Sequence, residues 1–151
     1  MLRTAIVLLL AVATFREGPY VVERVSDGDT IAIRRGNRRV LVRLIGVDAP
    51  EVDGPYRRRE KGGDLAKREM EKLVAGRKVH IQGDPHQPLF DTHGRMLAYV
   101  YEGRTLVNGE MIRRGYARAY RKFRHEQRET FIRYENEART GKRGLWKHGS
   151  P

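Results

Sequence analysis

The chain contains no cysteine in its 151 residues. This absence excludes disulfides, thiolate nucleophiles and sulfur-ligated zinc, and it removes any indication of the redox compartment. Histidine does not supply a zinc site either, because His80, His86, His125 and His148 lack the close pairing of a metal-binding helix. We therefore expect these histidines to be surface or loop residues.

Long hydrophobic runs are also lacking. The apolar run at residues 4–13 is shorter than the roughly 20 residues that a membrane-spanning helix needs. It follows a short basic start and ends in Ala11-Val-Ala13, a pattern typical of an export signal. We predict that residues 1–13 are a signal peptide or an N-terminal anchor, and that the protein is secreted or periplasmic. The alternatives are an uncleaved segment that anchors the protein to a membrane, and a buried N-terminal strand.

Acidic residues are scarce relative to basic ones. The 31 Lys and Arg residues outnumber the 19 Asp and Glu residues, which gives a net charge of +12 and an isoelectric point near 10.5. This charge favours a polyanionic partner through phosphate contacts and release of counterions. Nucleic acid, heparin-like polymers and an acidic membrane all fit it, and so does a basic surface that contacts only water.

The order of predicted elements indicates one small domain, since the chain is too short for two comfortable cores. Strands are predicted from β-branched runs between turns, and helices from apolar periodicity closed by glycine. The predicted strands are 20–25, 30–33, 40–47, 78–82 and 96–101; the predicted helices are one capped by Asp64 and ending at Gly76, then 107–114 and 126–140. We therefore predict an α+β, mainly β fold, a five-stranded OB-fold barrel with about three helices.

Charged residues interrupt the apolar, strand-like sequence at residues 27–30 and 42–51. They are Asp27, Asp29, Arg43, Asp48 and Glu51. An arginine is costly to bury alone, and clustered carboxylates repel each other unless a cation, a proton or a guanidinium neutralises them. The simplest joint explanation is a divalent metal ion beside a phosphate-binding arginine.

Three sequence blocks also carry a family resemblance. Asp27-Gly-Asp-Thr, followed by Arg43-Leu-Ile-Gly-Val-Asp-Ala-Pro-Glu51, resembles the signature of the staphylococcal nuclease (thermonuclease) family. Residues 91–101 resemble that family's second arginine segment, and residues 141–146 resemble its C-terminal end. The blocks occur in the family's order, so the resemblance implies a staphylococcal-nuclease-like OB-fold domain at residues 18–147.

The acidic residues suit the metal that phosphodiester hydrolysis needs to neutralise developing charge. Asp29 and Asp48 would be direct ligands of Ca²⁺, which accepts carboxylates, carbonyls and water in flexible geometry. The resemblance adds the carbonyl of Ala49 as a third ligand. Asp27 is expected to support the site or the turn without binding the metal.

Glu51 and two arginines complete the predicted catalytic set. The carboxylate of Glu51 can reach a metal-bound water, so Glu51 is the candidate general base, the role that the resemblance also implies. Arg43 and Arg95 are expected to bind the phosphate, because guanidinium groups offer paired planar donors and stay charged. Structural alternatives stay open: Arg43 could merely pair with Asp27 or Glu51, and Arg95 could merely cap a hairpin turn.

Departures from the family pattern fall where substrate would bind. His93 stands where the best-known members have a tyrosine, and it is a candidate nucleic-acid contact together with Tyr120. Phe123 is expected near a second family tyrosine, and a core position is the alternative for both aromatic residues. The basic run Arg57–Arg59 follows the acidic segment and could steer nucleic acid or simply be solvated.

Together these features predict a calcium-dependent phosphodiesterase that hydrolyses DNA and RNA with metal-activated water, as a sugar-nonspecific endonuclease or exonuclease. Single-stranded or loosely paired nucleic acid is the expected partner, and the protein is expected to be a monomer without a stable membrane partner. The main alternative is a non-catalytic OB-fold nucleic-acid-binding domain, which would not require the acidic residues. A basic membrane-attached protein would explain the charge and the apolar run but not the carboxylates.

Overall fold

A computed structural model describes residues 15–52 and 60–151. The predictions for residues 1–13 and for the basic run Arg57–Arg59 lie outside the described residues. Within the described ranges, no helix has both the length and the apolar character that a bilayer span requires.

The first three strands form an antiparallel meander, as the β-branched runs predict. They are β1 (Glu17–Asp27), β2 (Thr30–Arg35) and β3 (Arg38–Leu44). β2 and β3 pair without a register shift, from Thr30 opposite Arg43 at one end to Arg35 opposite Arg38 at the other. This regular pairing places Arg43 and the turn at residues 36–37 at opposite ends of the same ladder.

The predicted strand 40–47 is interrupted before its end. β3 stops at Leu44, the chain turns at residues 45–46, and β4 (Val47–Asp48) then pairs antiparallel with β8 (Arg118–Ala119). Gly46 has a φ of 75°, a left-handed conformation that glycine adopts without the steric cost of a side chain. The prediction of one continuous strand was therefore wrong, because a glycine turn carries Asp48 out of the main sheet.

Five strands close a barrel. β5 (Lys78–Gln82) pairs with β1, β6 (Met96–Glu102) pairs with β5, and a parallel pairing of β6 with β3 completes the circuit. β7 (Thr105–Leu106) extends the sheet beyond β6. With three helices, this arrangement confirms the predicted α+β, mainly β class and the five-stranded OB-fold barrel.

Three α-helices accompany the barrel: α1 (Gly63–Val74), α2 (Val107–Arg113) and α3 (Arg128–Thr140), and a short 3₁₀ helix at Gly144–His148 follows. Ala66, Met70 and Leu73 form the buried face of α1, as their spacing predicts. Asp64 was wrongly predicted as the N-cap. The chain enters α1 through Gly62, and Asp64 lies in the first turn, where a negative charge complements the helix dipole.

A buried asparagine links the barrel to α2. The Asn108 side-chain amide donates to the carbonyls of Ile45 and Ala98 at 2.9 and 3.2 Å, and its oxygen accepts the amide of Val100 at 2.8 Å. Buried polar groups are stable only when they are bonded in this way. These bonds hold the turn after β3 against β6.

A buried polar cluster includes one of the histidines predicted to be surface or loop residues. His125 lies in the loop before α3, but it is only 5% exposed, so the alternative of a surface position is wrong for it. The Tyr99 hydroxyl donates to Asp84 at 2.7 Å and lies 3.1 Å from Nδ1 of His125. Asp84 also accepts the amide of Glu126, and Tyr99 accepts that of Gln127. These two bonds fix the turn before α3, which begins two residues later than predicted.

Candidate active site

The turn after β3, the segment before β6 and the segment between β8 and α3 enclose one cleft of about 540 Å³. Six of the predicted site residues line it: Arg43, Asp48, Glu51, His93, Arg95 and Tyr120. The fold thus brings together side chains from distant parts of the sequence. Asp29 lies buried beside Arg43, next to this cleft.

The carboxylate of Asp29 is buried at the turn between β1 and β2. One oxygen, Oδ2, accepts the amide of Ala49 at 2.9 Å, and Oδ1 accepts the hydroxyl of Thr30 at 3.1 Å. Nη2 of Arg43 lies 3.3 Å from Oδ2. Burial raises the pKa of Asp29 to about 7, and the charge of Asp27 adds to this rise while Arg43 opposes it. A further positive charge beside this carboxylate would favour its ionised form.

Asp27 and Gly28 shape the turn that carries Asp29. Oδ1 of Asp27 accepts the amide of Asp29 at 3.0 Å, a local bond that is typical of aspartate in turns. A Cβ on Gly28 would lie 2.7 Å from the Cβ of Ala49 and 2.8 Å from that of Ala66. Only glycine allows this approach, so the turn lies directly against Ala49 and α1.

Asp48 is the second carboxylate at this turn. Partial burial of its carboxylate raises its pKa, and the charge of Asp29 adds to the rise, whereas Arg43 opposes it. Both carboxylates are therefore more costly to ionise than a carboxylate in water. A divalent cation beside them would remove that cost.

The donor set fits a cation that accepts mixed oxygen ligands. Among the described residues, no three His, Asp or Glu side chains lie close enough to form a metal site on their own. A cation here would therefore need main-chain carbonyls and water as well as Asp29 and Asp48, and Ca²⁺ accepts such a set. An ionised carboxylate has about four acceptor positions, and the contacts to Thr30, Arg43 and Ala49 leave Asp29 able to accept one more.

Main-chain carbonyls hold Arg43 in place. Its Nη1 donates to the carbonyl of Val47 at 2.6 Å and to that of Leu44 at 3.0 Å, and its side chain is only 16% exposed. Arg43 forms its ion pair with Asp29. The structural alternative, a pair with Asp27 or Glu51, is therefore wrong. A guanidinium has five N–H groups, and these contacts within the described residues leave some of them for a ligand in the cleft.

Arg95 belongs to the turn that precedes β6. Its Nε donates to Oδ2 of Asp91 at 2.7 Å, and its amide donates to Oδ1 at 2.9 Å. The same Oδ1 accepts the amide of His93 at 2.9 Å. Although partial burial opposes the shift, these bonds lower the pKa of Asp91. Arg95 therefore closes the turn, as the structural alternative supposed, and also lines the cleft.

The backbone of Glu51 is held by Glu60 and by the start of α1. The amide of Glu51 donates to Oε2 of Glu60 at 2.9 Å, and the amide of Glu60 donates to the carbonyl of Glu51 at 3.0 Å. Gly63 packs on the same carbonyl, so that a Cβ there would lie 2.2 Å from the oxygen. Sequence reasoning missed Glu60, because nothing in its spacing from Glu51 indicates this pair of bonds.

Aromatic residues between β8 and α3 complete the cleft. The amide of Tyr120 donates to the carbonyl of Gly46 at 2.9 Å, and its ring lies 5.8 Å from that of Phe123. Phe123 is 50% exposed, so the alternative of a core position is wrong for it. Glu135 of α3 accepts the amide of Ala119, and this bond fixes the backbone just before Tyr120.

Two further cleft residues carried no signal in the sequence. Phe90 lines the cleft and is 50% exposed, and His125 lines it from its buried position. The single hydroxyl proton of Tyr99 goes to Asp84, so Nδ1 of His125 must be the donor to the Tyr99 oxygen and Nε2 an acceptor. Burial lowers the pKa of His125, the charge of Asp84 opposes this, and Arg128 adds to it.

Comparisons with known proteins agree with this arrangement. The sequence model of a family described as "Staphylococcal nuclease homologue" matches residues 41–148. A thermonuclease of Staphylococcus hyicus is 30% identical over 131 residues, which cover 86% of this chain and 76% of the relative. An uncharacterized endonuclease of Escherichia coli O157:H7 is 36% identical over 131 residues, with 86% and 78% covered. The matched region contains Arg43, Asp48, Glu51 and Arg95, and the chain belongs to the staphylococcal nuclease family.

Proposed function

We propose that this protein is a calcium-dependent nuclease that hydrolyses phosphodiester bonds in single-stranded or loosely paired DNA and RNA. The observation that carries the proposal is the cleft itself, which Arg43, Glu51 and Arg95 line together beside the buried Asp29. A binding module would benefit from the arginines. It would gain nothing from carboxylates that burial makes costly to ionise.

Asp29, Asp48 and the carbonyl of Ala49 would hold the Ca²⁺ ion. When bound, the ion would neutralise charge on the phosphate and favour ionisation of water nearby. The amide of Ala49 already bonds to Asp29, so the two segments that would supply these ligands are tied together before any cation binds. Such preorganisation lowers the cost of binding.

Arg43 and Arg95 bind the nonbridging oxygens of the scissile phosphate. Arg43 is fixed by two carbonyls and Asp29, so it presents a preorganised donor to the charge that builds on the phosphate in the transition state. Arg95 is bound by one side chain, Asp91, and is 28% exposed, so it can follow the phosphate as charge builds on it. Each contact is worth about 3 kcal/mol on the scale of a preorganised oxyanion donor.

Glu51 accepts the proton of the attacking water. The water oxygen bonds to phosphorus, the bond from phosphorus to the 5′ oxygen breaks, and the leaving oxygen takes a proton from solvent. The products are a 3′-phosphate and a 5′-hydroxyl. The bonds between Glu51 and Glu60 and the contact of Gly63 fix the backbone from which this carboxylate reaches the cleft.

The substrate range follows from which chemical groups of the substrate the site contacts. The residues assigned here act on phosphate, which DNA and RNA share, so sugar-nonspecific cleavage by endonuclease or exonuclease action is part of the proposal. His93 and Tyr120 line the cleft and would contact the nucleotides next to the scissile bond. Secretion or periplasmic export through residues 1–13, and a monomeric state, are also proposed.

The test is cleavage of a labelled single-stranded DNA by the full chain, first with Ca²⁺ and then with excess chelator. Glu51→Gln should lower kcat by at least 100-fold, because it removes a general base, which contributes 10²–10⁴-fold. Glu129→Gln is the matched control, since that carboxylate is 85% exposed on α3 and, within the part of the chain that the structure describes, pairs only with its neighbour Arg128. It should leave kcat unchanged.

Each outcome has a definite meaning. Cleavage that requires Ca²⁺ and fails in Glu51→Gln would support the whole assignment. Cleavage that continues in excess chelator would contradict the proposed requirement for Ca²⁺. Tight, salt-sensitive binding without cleavage under any divalent cation would instead establish the non-catalytic OB-fold alternative.

A further inference from the structure

The far end of the β2–β3 ladder is lined by four arginines, Arg34, Arg35, Arg38 and Arg39, which we call the arginine hairpin. Arg34 lies directly opposite Arg39, and Arg35 directly opposite Arg38, around the turn at residues 36–37. Like charges in directly opposed positions destabilise an antiparallel pair. The hairpin therefore contains a repulsion that an anion would relieve.

Carboxylates from β1 relieve the repulsion between these arginines only in part. Glu23 pairs with Arg34 at 2.6 Å and with Arg39 at 3.0 Å, and Glu17 pairs with Arg35 at 3.1 Å. Within the described residues, Arg38 pairs with no carboxylate. Two carboxylates thus face four guanidiniums, and two positive charges stay uncompensated. Both arginines bound to Glu23 are also about half exposed, at 48% and 58%, so their remaining donors face solvent.

The arginine hairpin is continuous with the cleft along one face of β3. Alternate residues of a strand share a face, and β3 pairs with β2 without a register shift, so Arg39, Leu41 and Arg43 form a row. Leu41 is 41% exposed in the middle of that row. At about 3.3 Å per residue, Arg39 lies about 13 Å along the strand from Arg43. A fully stacked strand rises about 3.4 Å per nucleotide along its axis, so it covers this span in about four nucleotides, and an extended single strand covers it in fewer.

We propose that the arginine hairpin is a second binding site for the nucleic acid whose scissile phosphate lies in the cleft. Arg39, on the same face as Arg43, binds a phosphate up to about four nucleotides from the cleaved bond, and the exposed Leu41 contacts the sugars or bases between them. Arg38, on the other face at the turn, binds a phosphate farther along the chain as it passes the hairpin. This rests on the proposed nuclease function. A polynucleotide fits better than an acidic membrane, because the row leads from the hairpin directly to the phosphate-binding Arg43.

The test compares binding of a labelled 20-nucleotide single-stranded DNA with binding of a dinucleotide, whose single phosphate cannot contact both the cleft and the arginine hairpin. Chelator is present in both cases so that nothing is cleaved. The variant is Arg38→Gln/Arg39→Gln, which leaves one arginine on each of Glu17 and Glu23. Each phosphate contact on a single strand contributes about 0.7 to the salt dependence of log K, so losing two should reduce the slope by about 1.4. At 0.1 M salt the ratio of 20-mer to dinucleotide affinity should then fall roughly 25-fold.

The matched control removes the same charge elsewhere. Arg104 and Lys142 are exposed cations in turns, and Arg104→Gln/Lys142→Gln should leave the affinity ratio unchanged. β3 and β6 run parallel with Val42 opposite Met96, so Arg104 and the arginine hairpin lie beyond opposite ends of the barrel strands. Thermal unfolding of both variants at equal salt checks that each is folded.

Three results would overturn the proposal. They are an unchanged affinity ratio in Arg38→Gln/Arg39→Gln, an equal loss in the control, or a loss confined to binding of vesicles that contain anionic lipid. Cleavage of the 20-mer with Ca²⁺ by the wild-type protein is measured separately. Its failure would contradict the proposed nuclease function, while the binding ratio would still decide whether the hairpin binds nucleic acid.

Discussion

The two ends of the β2–β3 ladder use arginine in opposite ways. At the cleft end, Arg43 is 16% exposed and is held by two carbonyls and the buried Asp29. At the other end, the arginine hairpin is about half exposed and only partly compensated by Glu17 and Glu23. Buried charges are screened little by salt, whereas exposed ones are screened strongly. The first arrangement suits chemistry on one phosphate, and the second suits salt-sensitive capture of a long chain.

The same substitution at the two ends should have very different effects. Arg43→Lys should lower kcat by about 100-fold or more, because an ammonium cannot reproduce the fork that binds two carbonyls, Asp29 and a phosphate at once. Arg39→Lys should lower the affinity for a 20-mer by less than about threefold, since it keeps the charge. Steady-state cleavage and equilibrium binding measure the two effects. Similar losses at both positions would show that the arginines at the two ends of the β2–β3 ladder do not have different roles.

The carboxylates that pair with these arginines give the next contrast. Asp29→Asn should weaken Ca²⁺ binding by more than tenfold and reduce cleavage in parallel, because it removes a ligand charge. Glu23→Gln should instead strengthen binding of a 20-mer severalfold, because it releases Arg34 and Arg39. Calcium titration of cleavage and binding of the 20-mer measure these changes. An unchanged calcium requirement in Asp29→Asn would remove Asp29 from the proposed metal site.

Glycines at the two ends of β2 allow a comparison of backbone constraints. Gly28→Ala would place a Cβ within 3 Å of Ala49 and Ala66, so we expect a loss of about 1–3 kcal/mol in the free energy of unfolding and a marked loss of activity. Gly36→Ala meets no atom within 4 Å but has a φ of 61°, so it should cost about 1 kcal/mol. Denaturant unfolding and kcat distinguish the two. Equal activity in both variants would contradict the role of Gly28 in setting the position of Ala49.

The smallest expected effect is a pH dependence of the unfolding free energy, which arises from His125 beside the cleft. Burial lowers the pKa of His125 in the folded chain, so the unfolded chain, with a histidine pKa of about 6.5, binds the proton more readily. Its stabilising contribution is therefore complete above about pH 6.5 and is lost as the pH falls toward the folded pKa. Guanidinium groups do not titrate in this range, so the arginines of the arginine hairpin add nothing to the pH dependence of stability.

Denaturant unfolding between pH 7.5 and pH 5 measures this contribution. Asp29, with a pKa raised to about 7, also titrates in this range, but it is present in every variant compared. Relative to the wild type, His125→Gln should therefore lose less stability on acidification, whereas His86→Gln, at an exposed histidine, should follow the wild-type profile. Identical profiles for wild type and His125→Gln would show that the buried imidazole does not set the acid limit.

The strands were predictable from local patterns and their closure into a barrel from the family resemblance, whereas the details of the cleft were not predictable. β-branched runs identified the five barrel strands, and glycines identified the ends of two helices. The spacing of Asp29, Asp48 and Glu51 identified one charged site. That spacing predicts neither the carbonyls that bind Arg43 nor the bonds between Glu51 and Glu60. Such bonds depend on main-chain directions that only the folded barrel defines.

His125 shows why the remaining errors arose. A lone polar residue before a polar helix is most often exposed, and nothing local indicates Asp84 or Tyr99 as partners, since they lie 41 and 26 positions earlier in the chain. The sheet brings Asp84 and Tyr99 together, and the chain reversal before α3 then buries the imidazole against them. The prediction for Asp64 failed because Gly62, a glycine in a left-handed conformation two residues earlier, occupies the cap position.

The close contact of Gly28 with Ala49 and Ala66 joins three separate segments at one point. If α1 lifts from the barrel, the turn carrying Asp29 and the segment carrying Ala49 lose their common support in the same event. Undocking of the helix and release of a bound cation would then be a single cooperative opening. A cation bound at Asp29 should accordingly slow hydrogen exchange of amides throughout α1, even though no residue of that helix would touch it.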